Sequence, residues 1–393
     1  SGRLVETYAY DLTDHPAMQN FGHFYYEVPE YETTTCPGEI TIGYQGFVAF
    51  VEAIYVGYRY YETRFVDNET GEVDEDAYRN VVQFPFGYGL SYTTFNQEIE
   101  AFDVADREVS LTAKVTNTGD VAGKEVVQIY VTAPYIVGGI EKSHVVLSDF
   151  AKTGMLAPGA SESVTITFNL EDIASFDYKD NGCYVLDAGN YEIKLMSNAH
   201  DVIDSRDYTM ADTIIFDETN KRADDMVAAV TQFSDAEGDI EITYLSRADW
   251  EGTYPNNASA TRKASPEIAA QWTNFSAPEI SGAEDIVIRD NGLKLKEMIG
   301  LDYNDPKWDL ILEQLSVEDM QYLIGYGGFA TQVIDSVEKP YTIDLDGPAG
   351  IKALVNETAY EGVSYTTGVV LASTWNVDLA KEMGECFSNE ALA

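Results

Sequence analysis

The chain has 393 residues, enough for two or three domains at roughly 100–200 residues each. Its 45% hydrophobic and 12% aromatic content excludes a disordered chain, which is poor in both. Lys and Arg number 24 against 67 Asp and Glu, a formal charge of −43, and that sign excludes nucleic acid and anionic lipid, which both need a basic footprint.

No run of about 18 apolar residues occurs, so no membrane segment is expected. No basic stretch followed by an apolar one marks a signal peptide. Cys36, Cys183 and Cys386 lie far apart without a C-x-x-C, which argues against a disulfide framework and a cysteine-rich zinc site. His15, His23, His144 and His200 lack metal-ligand spacing and read as surface or loop histidines. No calcium-loop pattern occurs, and no cofactor or metal is expected.

Residues 1–95 are rich in aromatics and turns, show no regular helical period, and do not read as a domain closed on itself. Within Phe84-Pro85-Phe86-Gly87-Tyr88-Gly89-Leu90 two glycines between aromatics mark a tight, packed loop. From 96 to about 203 the pattern changes. Four period-two runs follow one another: Val109/Leu111/Ala113/Val115, Val127/Ile129/Val131, Val164/Ile166/Phe168/Leu170 and Tyr191/Ile193/Leu195. Turns at Asn117-Thr118-Gly119, Ala157-Pro158-Gly159 and Ala188-Gly189-Asn190 separate them. Short strands so spaced predict an antiparallel β-sandwich of about 100 residues.

Residues 204–307 read as a long acidic linker in extended form, with a short helix at Asp224–Val230. The remainder, 308–393, turns α/β. Ser316 and Asp319 form a capping-box variant for a helix ending near Gly325. Tyr341–Leu345 reads as a strand leading into Asp346-Gly347-Pro348, and Val369–Leu371 is a further apolar run. Asn376 starts a last helix with Leu379, Met383, Phe387 and Ala391 on one stripe.

Three blocks in these segments resemble glycoside hydrolase family three, the β-glucosidase family. Ser1-Gly2-Arg3-Leu4-Val5-Glu6-Thr7 is similar to the stretch near the end of the family's α/β/α sandwich domain. Tyr55–Tyr61 and Phe84–Phe95 resemble its "YVGYRYY" and "FPFGYGLSYTTF" blocks, and the β-sandwich resembles its fibronectin type III-like domain. Asp346-Gly347-Pro348-Ala349-Gly350-Ile351, with Lys352 where Arg is usual, resembles the "DGPHGLR" motif of its (β/α)8-like barrel; Thr374-Trp375-Asn376 resembles a following segment. The resemblance implies inverted domain order and a multidomain α/β plus all-β fold. Residues 1–95 would be the C-terminal part of the α/β/α sandwich, 96–203 a complete fibronectin-like domain and 308–393 the N-terminal part of the barrel. A barrel needs at least about 200 residues. The chain therefore reads as the central part of a larger enzyme, whose remainder is an implied partner.

Retaining glycosidases use two carboxyls about 5–5.5 Å apart. The family's nucleophile lies in a Ser-Asp-Trp, absent here; Asp249-Trp250 follows Ala248 in the linker and is read as a loop. No catalytic residue is therefore assigned, and the chain alone is expected to be inactive. The resemblance gives Asp346 a substrate-binding role, accepting hydrogen bonds from sugar hydroxyls. Tyr58, Arg59 and Tyr60 are read as packed rather than as a sugar platform, and Phe329 and Trp375 as core residues. The implied function is exo-acting retaining hydrolysis of a β-linked oligosaccharide or glycoside. The alternative is a non-catalytic carbohydrate-binding or interaction module built on the fibronectin-like domain.

Overall fold

The structure is a computed structural model and describes residues 2–20, 24–27, 35–36, 40–41, 45–47, 49–230, 242–255, 261–263, 286–328, 330–345, 347, 349–351 and 362–392. The chain divides into two units. One comprises Ser1–Phe275 with Val369–Val377, the other Ser276–Gly368 with Asp378–Ala393.

Early in the first unit, β1 (Tyr8–Ala9) pairs antiparallel with β2 (Val82–Phe84). Alternation further along then builds two facing sheets. One sheet holds β3 (Phe95–Ala105), β4 (Glu108–Asn117) and β7 (Ser161–Asn169), with β4 central. The other runs in the order β6 (Val146–Lys152), β5 (Val126–Thr132), β10 (Gly189–Met196), β11 (Val202–Met210). All pairings are antiparallel. A small third sheet joins β8 (Ser175–Asp177), β9 (Cys183–Leu186) and β12 (Ile214–Phe216). Most inward residues of the predicted runs are buried in one core, Leu111, Val115, Ile129, Ile193 and Leu195 fully, while Val164 packs partly buried against it. Burying each large aliphatic side chain is worth about 1.5–3 kcal/mol, so this alternation carries the sandwich. At the end of β4 the buried Asn117 side chain accepts from Thr93 Oγ1 (2.7 Å) and Gly119 N (3.1 Å), and donates to Val121 O and Leu156 O. It replaces ladder bonds where the backbone turns.

The sandwich extends past the expected end at 203. Residue 203 falls inside β11, which pairs with β10 from Gly189↔Met210 to Met196↔Val202. Its polar sequence carries no period-two signal, because it is an edge strand. The linker reading of 204–307 is corrected further. Leu245 is fully buried against Tyr55, Tyr60, Tyr61, Tyr78 and Val82, and residues 293–301 belong to a core in the second unit. Asp224–Val230 forms no helix; Arg222 and Asp225 pair across a turn there instead.

Residues 1–95 contain more order than their irregular pattern suggests. Helix α1 (Tyr58–Arg64) starts at Gly57 and α2 (Glu75–Val81) is capped by Asp74. A short sheet joins Phe24–Glu27, Gln45–Phe47 and Thr261–Lys263. Strand β5 is buried on both faces. Val127, Ile129 and Val131 face the sandwich core, while Gln128 and Tyr130 are covered by the 84–89 loop. Gln128 Nε2 donates to Gly87 O (3.1 Å) and Ser197 O (3.0 Å), and its Oε1 accepts from Tyr130 (2.9 Å). Gly87 has φ +79, and a Cβ there would stand 2.2 Å from Gln128 Oε1. The glycine is thus required twice, by dihedral and by close approach.

Trp375, read as barrel core, is instead buried in the first unit. Its ring meets Phe86 (5.5 Å) and Phe150 (4.8 Å), and Nε1 donates to Arg3 O (3.2 Å). Arg3 N donates to Ser373 O (2.9 Å), Lys152 Nζ to Thr374 O, and the Arg3 guanidinium pairs with buried Glu125.

The second unit has a modest core of Met298, Ile311, Leu315, Ile334 and Val337. Helix α3 (Lys307–Leu312) precedes α4 (Val317–Gly325), whose box forms as expected: Asp319 N donates to Ser316 Oγ (3.0 Å) and Ser316 N to Asp319 Oδ2 (2.9 Å). Strands β13 (Ala330–Thr331) and β14 (Thr342–Ile343) pair antiparallel. Helix α5 (Val377–Leu392) closes the chain, and the apolar run before it is helical over Gly368–Ala372. Among the described residues no closed eight-stranded barrel forms.

Candidate functional site

The loop after β14 is where the sequence places sugar binding. Asp346 itself lies outside the described residues, as do Phe329 and Pro348. The described residues on either side of Asp346 make several close contacts. Lys339 Nζ donates to Thr331 Oγ1 (2.8 Å), Gln332 O (2.8 Å) and Pro340 O (2.9 Å), tying the β13–β14 turn together. Gly347 has φ +127 and Gly350 φ +149, dihedrals that favour glycine. A Cβ on Gly350 would stand 2.7 Å from Val363 O. Tyr365 N donates to Ala349 O (2.8 Å), while the Tyr365 ring stacks on Phe387 of α5 at 4.6 Å and its hydroxyl reaches Glu390 (3.3 Å). A carboxylate on such a loop offers two acceptor oxygens for hydroxyl groups, and charge-assisted bonds are the stronger kind.

Other residues singled out by sequence have structural posts. Asp249 caps a single helical turn, Trp250–Thr253, accepting from Gly252 N (2.9 Å). The Tyr58 ring stacks on Phe86 (4.6 Å) and its hydroxyl accepts from Leu147 N (3.0 Å), while Tyr60 is buried. The described histidines are not surface residues. His15 is buried, His200 nearly so, and burial together with nearby Lys194 and Arg247 pulls His144 down to about 3. His23 lies outside the described residues. Among the described residues no group of three or more His, Cys, Asp or Glu side chains could hold a metal. Among them, too, no helix is long and apolar enough to cross a membrane.

Two buried polar joints hold the aromatic segment to the sandwich. Glu141 accepts from Tyr55 (2.5 Å), Ser246 Oγ (2.5 Å) and Arg247 N (3.2 Å); Arg247 in turn donates to Asn68 Oδ1 and Lys142 O. In the second, Glu62 of α1 accepts from Tyr78 (2.6 Å) and meets His200 Nδ1 (2.9 Å), whose ring stacks flat on Tyr78 at 3.8 Å. Burial pushes the Glu62 carboxyl up, against the pull of His200 and Tyr78. Burial would lower His200, but the hydrogen bonds and charges of Glu62 and Glu75 outweigh it and raise it. Sequence reasoning missed both joints because the partners lie far apart along the chain.

Residues 125–199 match the family model described as a fibronectin type III-like domain. The chain is 28% identical to a β-glucosidase A of Butyrivibrio fibrisolvens over 100% of its length and 46% of that protein's. It is 29% identical to a β-glucosidase of Ruminococcus albus over 97% of its length and 36% of that protein's. A solved β-glucosidase from Paenibacillus barengoltzii superposes with a TM-score of 0.63 at 25% identity, covering 100% of this chain and 39% of its own. The chain thus spans less than half the length of these relatives. The match takes in the sandwich and the segments on either side of it, and the fold is multidomain, mixed α/β plus all-β. With its fibronectin type III-like domain between segments that both align to β-glucosidases, the chain is similar to β-glucosidases along its whole length.

Proposed function

We propose that the protein works within an exo-acting retaining β-glycosidase that releases terminal β-linked sugars, glucose first among them. The observation that carries this reading is the end-to-end alignment with proteins named β-glucosidase, which takes in the Asp346-Gly347-Pro348 loop as well as the sandwich. In this reading residues 1–95 complete an α/β/α sandwich domain and 308–393 open a (β/α)8-like barrel. Asp346 holds hydroxyls of the sugar in the subsite where bond cleavage occurs. Protonation of the leaving group and formation of the glycosyl intermediate need two carboxyls, neither of which is assigned to residues 1–393.

Two measurements test it. With a nitrophenyl β-glucoside, the 393-residue chain alone turns over no substrate, whereas a longer chain carrying both carboxyls does. In that longer enzyme Asp346→Ala lowers kcat/KM by roughly 100-fold or more, since two charged hydrogen bonds at about 1.5–3 kcal/mol each are lost and each 1.36 kcal/mol is tenfold. Normal kcat/KM per folded molecule with a lowered Tm would make Asp346 a turn residue instead.

A further inference from the structure

A second site, independent of the hydrolytic reading, lies in the first unit. A cavity of about 260 Å³ opens between α1 and the small β8–β9 sheet. That is about nine water volumes, the size of one sugar ring. Phe176 and Tyr184 supply apolar walls, and Arg59 and Asp172 are among its lining residues. Charges that could draw an ionic ligand are already committed. Lys142 pairs with Asp187 and donates to Pro134 O (2.7 Å). Arg222 holds Asp225 through two bonds (2.7 and 2.9 Å) and lies 3.9 Å over the Tyr184 ring. Glu141 has three donors already.

Two groups are left. Half-buried Arg59 takes part in no ion pair among the described residues, and exposed Asp172 accepts a long bond from Asn169 N (3.4 Å) and lies near enough to Arg222 for their charges to interact. One cation and one anion make a lining that repels neither sign wholly and attracts neither strongly. A carboxylate ligand would meet Asp172, and an amine would meet Arg59. A neutral ring whose hydroxyls both donate and accept suits the fork of Arg59, the oxygens of Asp172 and the aromatic walls together. We propose that this cavity is a non-catalytic binding site for a neutral monosaccharide. Sequence reasoning assigned Arg59 to packing because the block it resembles is packed between domains; here Arg59 lines the cavity.

The test is calorimetric titration of the Asp346→Ala protein, which removes the proposed substrate contact, with D-glucose and with methyl β-D-glucoside. Saturable binding with a Kd on the order of millimolar is expected for so small a ligand. Arg59→Gln, and separately Asp172→Asn at the cavity mouth, should weaken it at least about tenfold with Tm unchanged. Absence of binding, affinity unaltered in both variants, or saturation by acetate or sulfate in place of glucose would overturn the proposal. Loss of binding in Asp346→Ala alone would also overturn it, by moving the sugar to the β14 loop. Hydrolysis by the longer enzyme is a separate readout, so the two readings fail separately.

Discussion

His200 shows how a single side chain ties the aromatic segment to the sandwich. It faces Glu62 on α1 and Glu75 and Tyr78 on α2, with Asp201 beside it and His144 near enough to be felt. Because its folded pKa is raised, the stability it contributes is complete below the unfolded value of about 6.5 and is lost as pH rises through the folded value. Above that range buried Glu62, itself pushed up by burial, keeps its charge without a cation. His200→Gln should therefore lower stability by about 1.5–3 kcal/mol near pH 5.5, and the gap from wild type should shrink toward pH 9. Thermal melts across that range check it; a gap that is constant with pH would reduce His200 to a packing residue. None of this was legible in sequence, since a lone histidine shows neither its burial nor partners 138 and 125 residues away.

Among elements, the strands that send one face into the core were legible, edge strand β7 included, and the edge strands β3 and β11 were not. Strands β4, β5, β7 and β10 alternate because one face of each enters the core. Strand β11 reads as polar because it forms a sheet edge, and β3 is broken by a bulge between Ile99 and Ala101. Asp204 accepts from Ile99 N (3.2 Å) and Arg206 donates to Ile99 O (3.4 Å), so side chains of one edge strand complete the bulge of another. The Gly-rich loop was read correctly as tight and packed, yet its partner, the outer face of β5, had no signal, because Gln128 and Tyr130 look like solvent-facing residues in a period-two pattern. Gly87→Ala should cost about 2–4 kcal/mol, combining a left-handed backbone with a clash. Gly138 has the same φ, +79, with nothing within 4 Å of an added Cβ, so Gly138→Ala should cost only about 1–2 kcal/mol. Denaturant midpoints of the two variants separate dihedral from contact; equal losses would show that the approach to Gln128 is relieved by movement.

Across the molecule, the charge of −43 excludes a basic footprint, and among the described residues the carboxylates form no group of three or more with His, Cys, Asp or Glu that could hold a metal. The candidate sugar loop was legible only through its motif, since Asp346 has no periodic context; the Arg59 cavity was not legible, because its walls come from six separated stretches. The contact of Arg3 with Ser373 and Trp375 is the longest-range one described in the first unit. Trp375→Ala should remove its anchor, and amide exchange of residues 369–377 should quicken by at least about 100-fold, the lower end of what losing a buried aromatic costs. Unchanged exchange would mean that the Arg3–Ser373 bond suffices. The same anchor has a consequence in time. Arg3 waits for a partner made 372 residues later. At about 5–20 residues per second of synthesis, that wait is roughly 20–70 s. The loop at Gly87 bonds Leu4 after far less chain, so residues 3–4 should be partly seated during synthesis before Trp375 emerges to complete the contact.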